Sequence, residues 1–337
     1  MDATRREQPR STTIKDIAKR LGLSYSTVSR ALNDKYGVKM ATRERVVTAA
    51  RQMRYRPNAI ARGLIARKTK TIGIVVPDLR NPFFPEVAAG IEAAAEEMNY
   101  SVLLGLSDWS GRREDRYLDL LIEHRVDGII LAPVSRSAVR YREVLPPEVP
   151  TVYVSSVPEE VTSDFVVIDN VLGGYIATEH LISRGYDSIA FIGAESGSDT
   201  GAERRRGYRA ALEASERRYD PRHVLLGPFT REGASDLISG AAREGRMPRA
   251  LFCENDNLAI AAIQTLSEFG YRVPDDVAVI GFDDITWAGL HNVELSTVAQ
   301  PIHEMGRRAL RMLIERIDGA APESIVLEPR LVVRNTT

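Results

Sequence analysis

The sequence predicts a multi-domain chain: a small all-α helix-turn-helix head followed by an α/β body of two similar parallel-sheet subdomains. Three observations carry that expectation. At 337 residues the chain exceeds one ordinary domain and suits two or three. Its charge is unevenly split: the first 68 residues hold 17 Lys and Arg against 5 Asp and Glu, leaving 28 against 41 for the remainder. From Thr71 onward, short Val- and Ile-rich runs alternate with longer stretches of helical periodicity.

The head is read from residues 12–33. Ile14, Ile17, Ala18 and Leu21 share one face of a short helix, because residues three and four apart are neighbours on a helix surface. Gly22 supplies the permissive backbone of a tight turn, and Ser24 is a good N-cap for a second helix running to Asn33. Small Ala18 lets the two helices approach, and Val28 fills the gap between them. Helix, Gly-containing turn and helix make a helix-turn-helix. The outer face of the second helix carries Tyr25, Ser26, Ser29 and Arg30, which can reach base edges in a major groove. Thr42 reads as the N-cap of a third helix over residues 43–53, and Pro57 breaks the pattern that follows. A surplus of positive charge confined to the head points to a polyanionic partner for the head alone.

Ile14-Lys15-Asp16-Ile17-Ala18-Lys19, followed by Gly22-Leu23-Ser24-Tyr25-Ser26-Thr27-Val28-Ser29-Arg30-Ala31-Leu32-Asn33, closely resembles the DNA-binding headpiece of the lactose/galactose repressor (LacI/GalR) family of transcriptional regulators. The resemblance extends to about Arg334. It implies a body like the periplasmic binding proteins, a homodimer, a roughly palindromic double-stranded operator and control by a small-molecule effector. A repressor answering to a sugar or sugar derivative is the main expectation. A nucleoside- or purine-responsive regulator of the same family is the alternative, and a periplasmic-type solute-binding protein is the alternative of another class.

The resemblance also assigns residues. Arg30 is the candidate for a bidentate guanine contact, beside Tyr25, Ser26 and Ser29, while Thr13, Asn33 and Thr42 would hold phosphates. Residues 58–70 match the family's hinge helix, with Asn58 and the minor-groove wedge Leu64, and with Arg67, Lys68 and Lys70 toward phosphates. Read alone, that stretch is too short and too weakly helical to order unless something holds it. Residues 12–57 are then the DNA-binding domain and 58–70 the hinge. Residues 71–337 form the effector-binding and dimerisation body, its N-subdomain about 71–168 plus 300–325 and its C-subdomain about 169–299 plus 326–337.

In the body, strand patterns begin at Ile72, Val102, Gly128, Thr151, Val166, Ile189, Val224, Ala250 and Val277. Helical patterns lie near 85–98, 112–124, 171–184, 202–216, 231–244, 256–269 and 302–317. Almost continuously apolar strands separated by helices argue for parallel sheets buried on both faces, and the series is long enough for two. Ligands in such folds bind beyond the C-terminal strand ends. Polar and aromatic residues collect there: Asn81, Phe83 and Phe84 after the first strand, Ser155 after the fourth, Arg204 after the sixth. Phe229 follows the seventh, Asn255 and Asp256 the eighth, and Asp283 the ninth. The same loops make the effector pocket of the family resembled, which marks these nine as candidate effector contacts. Arg204 offers a fork of donors, the aspartates accept from hydroxyls, and the Phe rings can stack on a flat or pyranose face. Asp256 reads equally as an N-cap, and Asp284 as a turn acceptor. Two departures bear on the effector. Ser155-Ser156 stands where many sugar-responsive relatives carry Asp-Arg, and residues 284–295 hold Trp287 but no double proline. Residues 296–301 are expected to cross back, returning the last helix to the first subdomain.

Enzyme motifs are missing from the sequence: there is no G-x-G-x-x-G, no G-x-S-x-G and no P-loop. The five histidines lack metal-ligand spacing, so no enzyme activity, cofactor or metal is expected. Cys253 is the single cysteine, which excludes disulfides within the chain. No apolar run approaches the ~20 residues of a membrane helix, and residues 1–10 lack a signal-peptide core, so a cytoplasmic protein is expected. No heptad pattern follows Arg334, which favours a dimer over a tetramer.

Overall fold

The computed structural model describes residues 12–33, 36–55, 68–195 and 199–337. The chain divides into two compact units, Met1–Thr69 and Lys70–Thr337.

The head has three helices: α1 (Ile14–Leu21), α2 (Tyr25–Leu32) and α3 (Met40–Gln52). Thr13 and Asp16 form a reciprocal capping box that satisfies the free amides of α1. Gly22 closes α1 at φ 65°, a left-handed conformation that costs an L side chain ~1–2 kcal/mol. Ile17, Ala18, Val28, Ala31, Val46, Ala49 and Ala50 bury the shared apolar face. One expectation is corrected. Helix α3 begins at Met40 and its N-cap is Lys39, so Thr42 lies inside the first turn and caps nothing. The amides of Thr42 and Arg43 both bond the Lys39 carbonyl at 3.0 Å, and Met40 and Ala41 are good enough helix formers to start the turn without a side-chain cap.

The first half of the body runs β1 (Thr71–Val76), α4 (Phe83–Glu97), β2 (Ser101–Leu106), α5 (Gly111–Glu123), β3 (Gly128–Leu131), α6 (Ala138–Val144), β4 (Thr151–Val154) and β5 (Phe165–Ile168). The second half runs α7 (Asn170–Ser183), β6 (Ile189–Ala194), α8 (Asp199–Ala214), β7 (Val224–Gly227), α9 (Arg231–Arg243), β8 (Ala250–Cys253), α10 (Asp256–Glu268) and β9 (Ala278–Asp283). It ends with β10 (Ser296–Ala299), α11 (Ile302–Ile317), β11 (Ser324–Leu327) and β12 (Arg330–Val332). Two six-stranded sheets result, in the orders β11-β5-β4-β3-β1-β2 and β12-β10-β9-β8-β6-β7. Pairing is parallel except between β10 and β12.

Strand alternation buries both faces. Ile72, Ile74 and Val76 face the layer holding Ile91 of α4 and Leu310 of α11, while Val75 faces Leu118 and Leu121 of α5. The second sheet repeats this, with Phe191, Phe252 and Ile280 on one side and Ile192, Cys253 and Val279 on the other. The chain passes between the sheets three times: from β5 into α7, from β10 into α11, and from β11 into β12. Residues 296–299, expected to cross, first form β10 beside β9, and the crossing is confined to Gln300 and Pro301. Helices α7 and α8 touch through bare backbone. A Cβ on Gly174 would collide with the Arg204 carbonyl, and one on Gly207 with the carbonyl of Val171. That close approach sets the position of Arg204.

Candidate nucleic-acid interface and inter-subdomain cleft

On the head, Val28 and Ala31 are buried, and Tyr25, Ser26 and Arg30 lie exposed on the other side of α2, with Ser29 half-buried. Ser24 Oγ accepts the amide of Thr27 at 3.1 Å and lies 2.9 Å from the Ser26 hydroxyl, so the cap and a candidate reader share one hydrogen-bond cluster. Asn33 Nδ2 donates to the Ser29 carbonyl at 2.8 Å and closes the C-terminus of α2. Thr13 is likewise tied up in its capping box, its hydroxyl 2.7 Å from Asp16 Oδ2. Asn58, Leu64 and Arg67 lie outside the described residues. Lys70 sits in the body: its amide donates to Asp127 Oδ2 at 2.9 Å, and its ammonium lies 4.2 Å above the Tyr100 ring.

In the body, the C-terminal strand ends of both sheets meet at a cleft. Arg204, on α8, is 6 % exposed and ties together four elements. Its Nε donates to Asn170 Oδ1 at 3.0 Å, just past the first crossing, and its Nη1 to the Glu254 carbonyl at 2.6 Å, just past β8. Nη2 stands 3.6 Å from Asp283 Oδ1 at the end of β9, and the guanidinium lies 3.6 Å over the Phe282 ring. At 3.6 Å the pair attracts by charge without a hydrogen bond, so Nη2 keeps donor capacity. Gln300, in the second crossing, donates to the same Asp283 oxygen at 2.7 Å. Burial lowers the Arg204 pKa against the pull of Asp283 and Glu254. Burial also pushes the Asp283 carboxyl up to about 6, with Arg204 and Gln300 opposing.

Asp256 plays a different part from the one expected of a contact residue. It is fully buried: Oδ1 accepts from the Thr297 hydroxyl at 2.6 Å and Oδ2 from the Ile285 amide at 2.9 Å. It braces the segment after β9, and burial, then Asp283, holds its carboxyl well above the usual range. The N-cap of α10 is Asn255, whose Oδ1 accepts the Leu258 amide at 2.9 Å. Asp284, expected as a turn acceptor, instead accepts from Arg334 Nη2 at 2.7 Å, 50 residues on, and ties the segment after β9 to the C-terminal segment.

Two cavities open along the cleft. One, of about 290 Å³, is bordered by Phe84, Ser135, Ser155, Thr200, Arg205 and Glu254. The other, of about 360 Å³, is bordered by Asn81, Phe229, Thr230, Asn255, Asn257 and Trp287. Neither is bordered by Phe83, Arg204, Asp256 or Asp283. Phe83 is buried edge-on against Phe84, with ring centroids 5.0 Å apart. Trp109 borders both cavities, though the sequence reading passed it over. It follows β2 in a loop where Asp108 and Trp109 both take positive φ, 51° and 57°. Such backbone costs ~1–3 kcal/mol per residue and persists where surroundings impose it. Arg80 and Arg113 hold Asp108 at 3.2 and 2.8 Å. The sequence carries the signal: an aromatic residue just past a strand end, as Phe84 and Phe229 are. Asn170 and Gln300 were missed because their role arises where the chain crosses between sheets.

Residues 13–58 match the profile of bacterial regulatory proteins of the lacI family, and residues 178–337 that of a periplasmic binding protein-like domain. The chain is 38 % identical over 334 residues to the HTH-type transcriptional regulator DegA of Bacillus subtilis, covering 97 % of this chain and 98 % of that protein. The chain belongs to the lacI family. Among solved structures of similar fold are the Lac repressor dimer bound to operator and the anti-inducer ONPF (25 % identity, TM-score 0.88, 97 % of this chain and 99 % of that one). Another is the complex of the transcriptional regulator CelR with cellobiose (33 % identity, TM-score 0.72, 97 % and 100 %). Both match the lacI-family head and the two-sheet body together.

Proposed function

We propose that this lacI-family chain is a sequence-specific transcriptional repressor whose hold on DNA is set by a small polyhydroxylated effector between the two sheets. The observation that carries the DNA half is the exposed row Tyr25, Ser26 and Arg30 on the second helix of a basic helix-turn-helix. Placed in a major groove, Arg30 takes a guanine edge and its neighbours read beside it. Thr13, Asn33 and Thr42 face phosphates through whatever capacity their local bonds leave, and residues 58–67 supply the hinge with Leu64 as wedge. The protein works in the cytoplasm, and its site binds without catalysis. Among the described residues no helix is long and apolar enough to cross a membrane.

The chain acts as a homodimer, which places two heads on a roughly palindromic operator. The Lac repressor relative was solved as a dimer on its operator, and the β2 edge of this chain leaves Leu103 and Leu104 exposed at 39 % and 47 %. Exposed apolar side chains on an unpaired strand edge invite a partner. The effector is a carbohydrate in the cleft cavities, with Asn81, Ser155, Phe84, Phe229 and Asn255 around it, while buried Arg204 and Asp283 brace the strand ends behind them. Arg204 joins the first crossing to two strand ends, and Gln300 joins Asp283 to the second. A ligand that presses on the strand ends tied by this pair therefore biases subdomain closure, and closure shifts the dimer. A coupling of ~1–3 kcal/mol gives roughly 5- to 150-fold changes in DNA affinity.

The DNA claim is tested by titrating labelled duplex DNA with the full chain across salt concentrations. Binding that weakens steeply with salt supports phosphate neutralisation by the head; no binding at low salt removes the reading.

A further inference from the structure

Trp109 divides the cleft. Phe84 meets it edge-on from the first subdomain, with centroids 6.1 Å apart at 72°, and Phe229 does so from the second, at 5.9 Å and 88°. Phe84 borders only the first cavity and Phe229 only the second, so the three rings form a partition with a cavity on either side. At about 290 and 360 Å³, each cavity sits near the small end of the ~300–1,000 Å³ range of ligand sites. Each suits one ring, and together they suit two.

The linings agree on chemistry. The first cavity has Arg136 and Arg205 against Glu195 and Glu254, and the second has Arg80 and Arg231 against Asp78 and Glu232. Two positive and two negative side chains in each leave no surplus charge for a phosphorylated or ionic ligand. Hydroxyls and amides complete both walls, a mixture of donors and acceptors that fits hydroxyl groups, which are both. In the second cavity Asn257 Oδ1 is buried with no partner among the described residues, an acceptor awaiting a donor.

Granting the polyol-effector reading above, on which this rests, we infer that the effector is a neutral two-ring glycoside, disaccharide in size, straddling Trp109 with one ring in each cavity. Trp109 is then the residue that distinguishes a disaccharide from its constituent monosaccharide, because only the larger ligand contacts both sides of the partition.

Isothermal titration of the full chain tests this with neutral disaccharides (cellobiose, maltose, lactose, sucrose), glucose, galactose, glucose 6-phosphate and adenosine. One disaccharide should bind at least tenfold more tightly than either monosaccharide. Trp109→Ala should weaken that disaccharide at least tenfold while leaving duplex-DNA binding intact, and Trp109→Phe, which keeps a ring, should weaken it less. A monosaccharide binding as tightly as any disaccharide, or a Trp109→Ala variant with unchanged disaccharide affinity, overturns the straddling mode and leaves the polyol reading in place. Preference for glucose 6-phosphate overturns the neutral-ligand claim. Binding of adenosine alone, or of no neutral disaccharide in the panel, overturns the inference, and adenosine binding overturns the polyol reading with it.

Discussion

Asp283 keeps a carboxylate where the chain offers almost no water, held by Arg204 and Gln300 and lifted by burial to about 6. The unfolded carboxyl titrates near 3.8, so the folded state binds this proton more tightly. Protonation therefore adds stability below about 6, and that contribution is lost as pH rises through the folded value. The stability of the wild type in urea, relative to Asp283→Asn, should therefore fall as pH rises from 5 to 7.5. A stability difference between the two proteins that is flat with pH would contradict a raised Asp283 carboxyl. Asp256 answers to a different experiment. Asp256→Ala strands the Ile285 amide and the Thr297 hydroxyl, each worth ~1–3 kcal/mol when left buried and unbonded. Urea unfolding should show the loss, and undiminished stability would contradict the brace. The sequence showed that an Asp stood at this helix start. Its neighbours Ile285 and Thr297, which decide its role, are 29 and 41 residues away.

Among the elements, α1 and α2 were legible because their signals are local: a Ser N-cap, a Gly at a left-handed turn, and apolar residues three and four apart. The start of α3 was not, since Lys39 caps it with no side-chain signature. Strands β1 to β9 follow from their apolar runs. Strand β10 reads Ser-Thr-Val-Ala and β12 has only three residues, so both are strands because of the neighbours they pair with. Helix α6, seven residues long, was too short for its periodicity to register. The α7–α8 pair carries its own test. Gly174→Ala forces a methyl against the Arg204 carbonyl, and such overpacking costs ~1–3 kcal/mol. A denaturant midpoint equal to wild type would show that the helices can part at no cost, and that Arg204 is not held by their contact.

At the scale of the whole molecule, the basic head and acidic body were visible in composition alone. What composition could not show is how the cleft is divided, because the partition depends on rings from both subdomains meeting at Trp109. Dimerisation is testable at the β2 edge. Leu104→Glu places a charge on the exposed edge strand and should yield monomers in sedimentation at micromolar concentration, with operator affinity reduced by an order of magnitude or more. A dimer of unchanged stability would move the interface elsewhere on the body.

The central claim is that α2 reads a two-fold operator. The measurement that meets it most directly is a binding selection from random duplex DNA, run in parallel with the full-length chain and its Arg30→Ala variant. The account predicts enrichment of a pseudo-palindrome by the wild type, and relaxed preference at one base pair in each half-site for the variant. No enriched sequence, or an identical preference from both proteins, would contradict it.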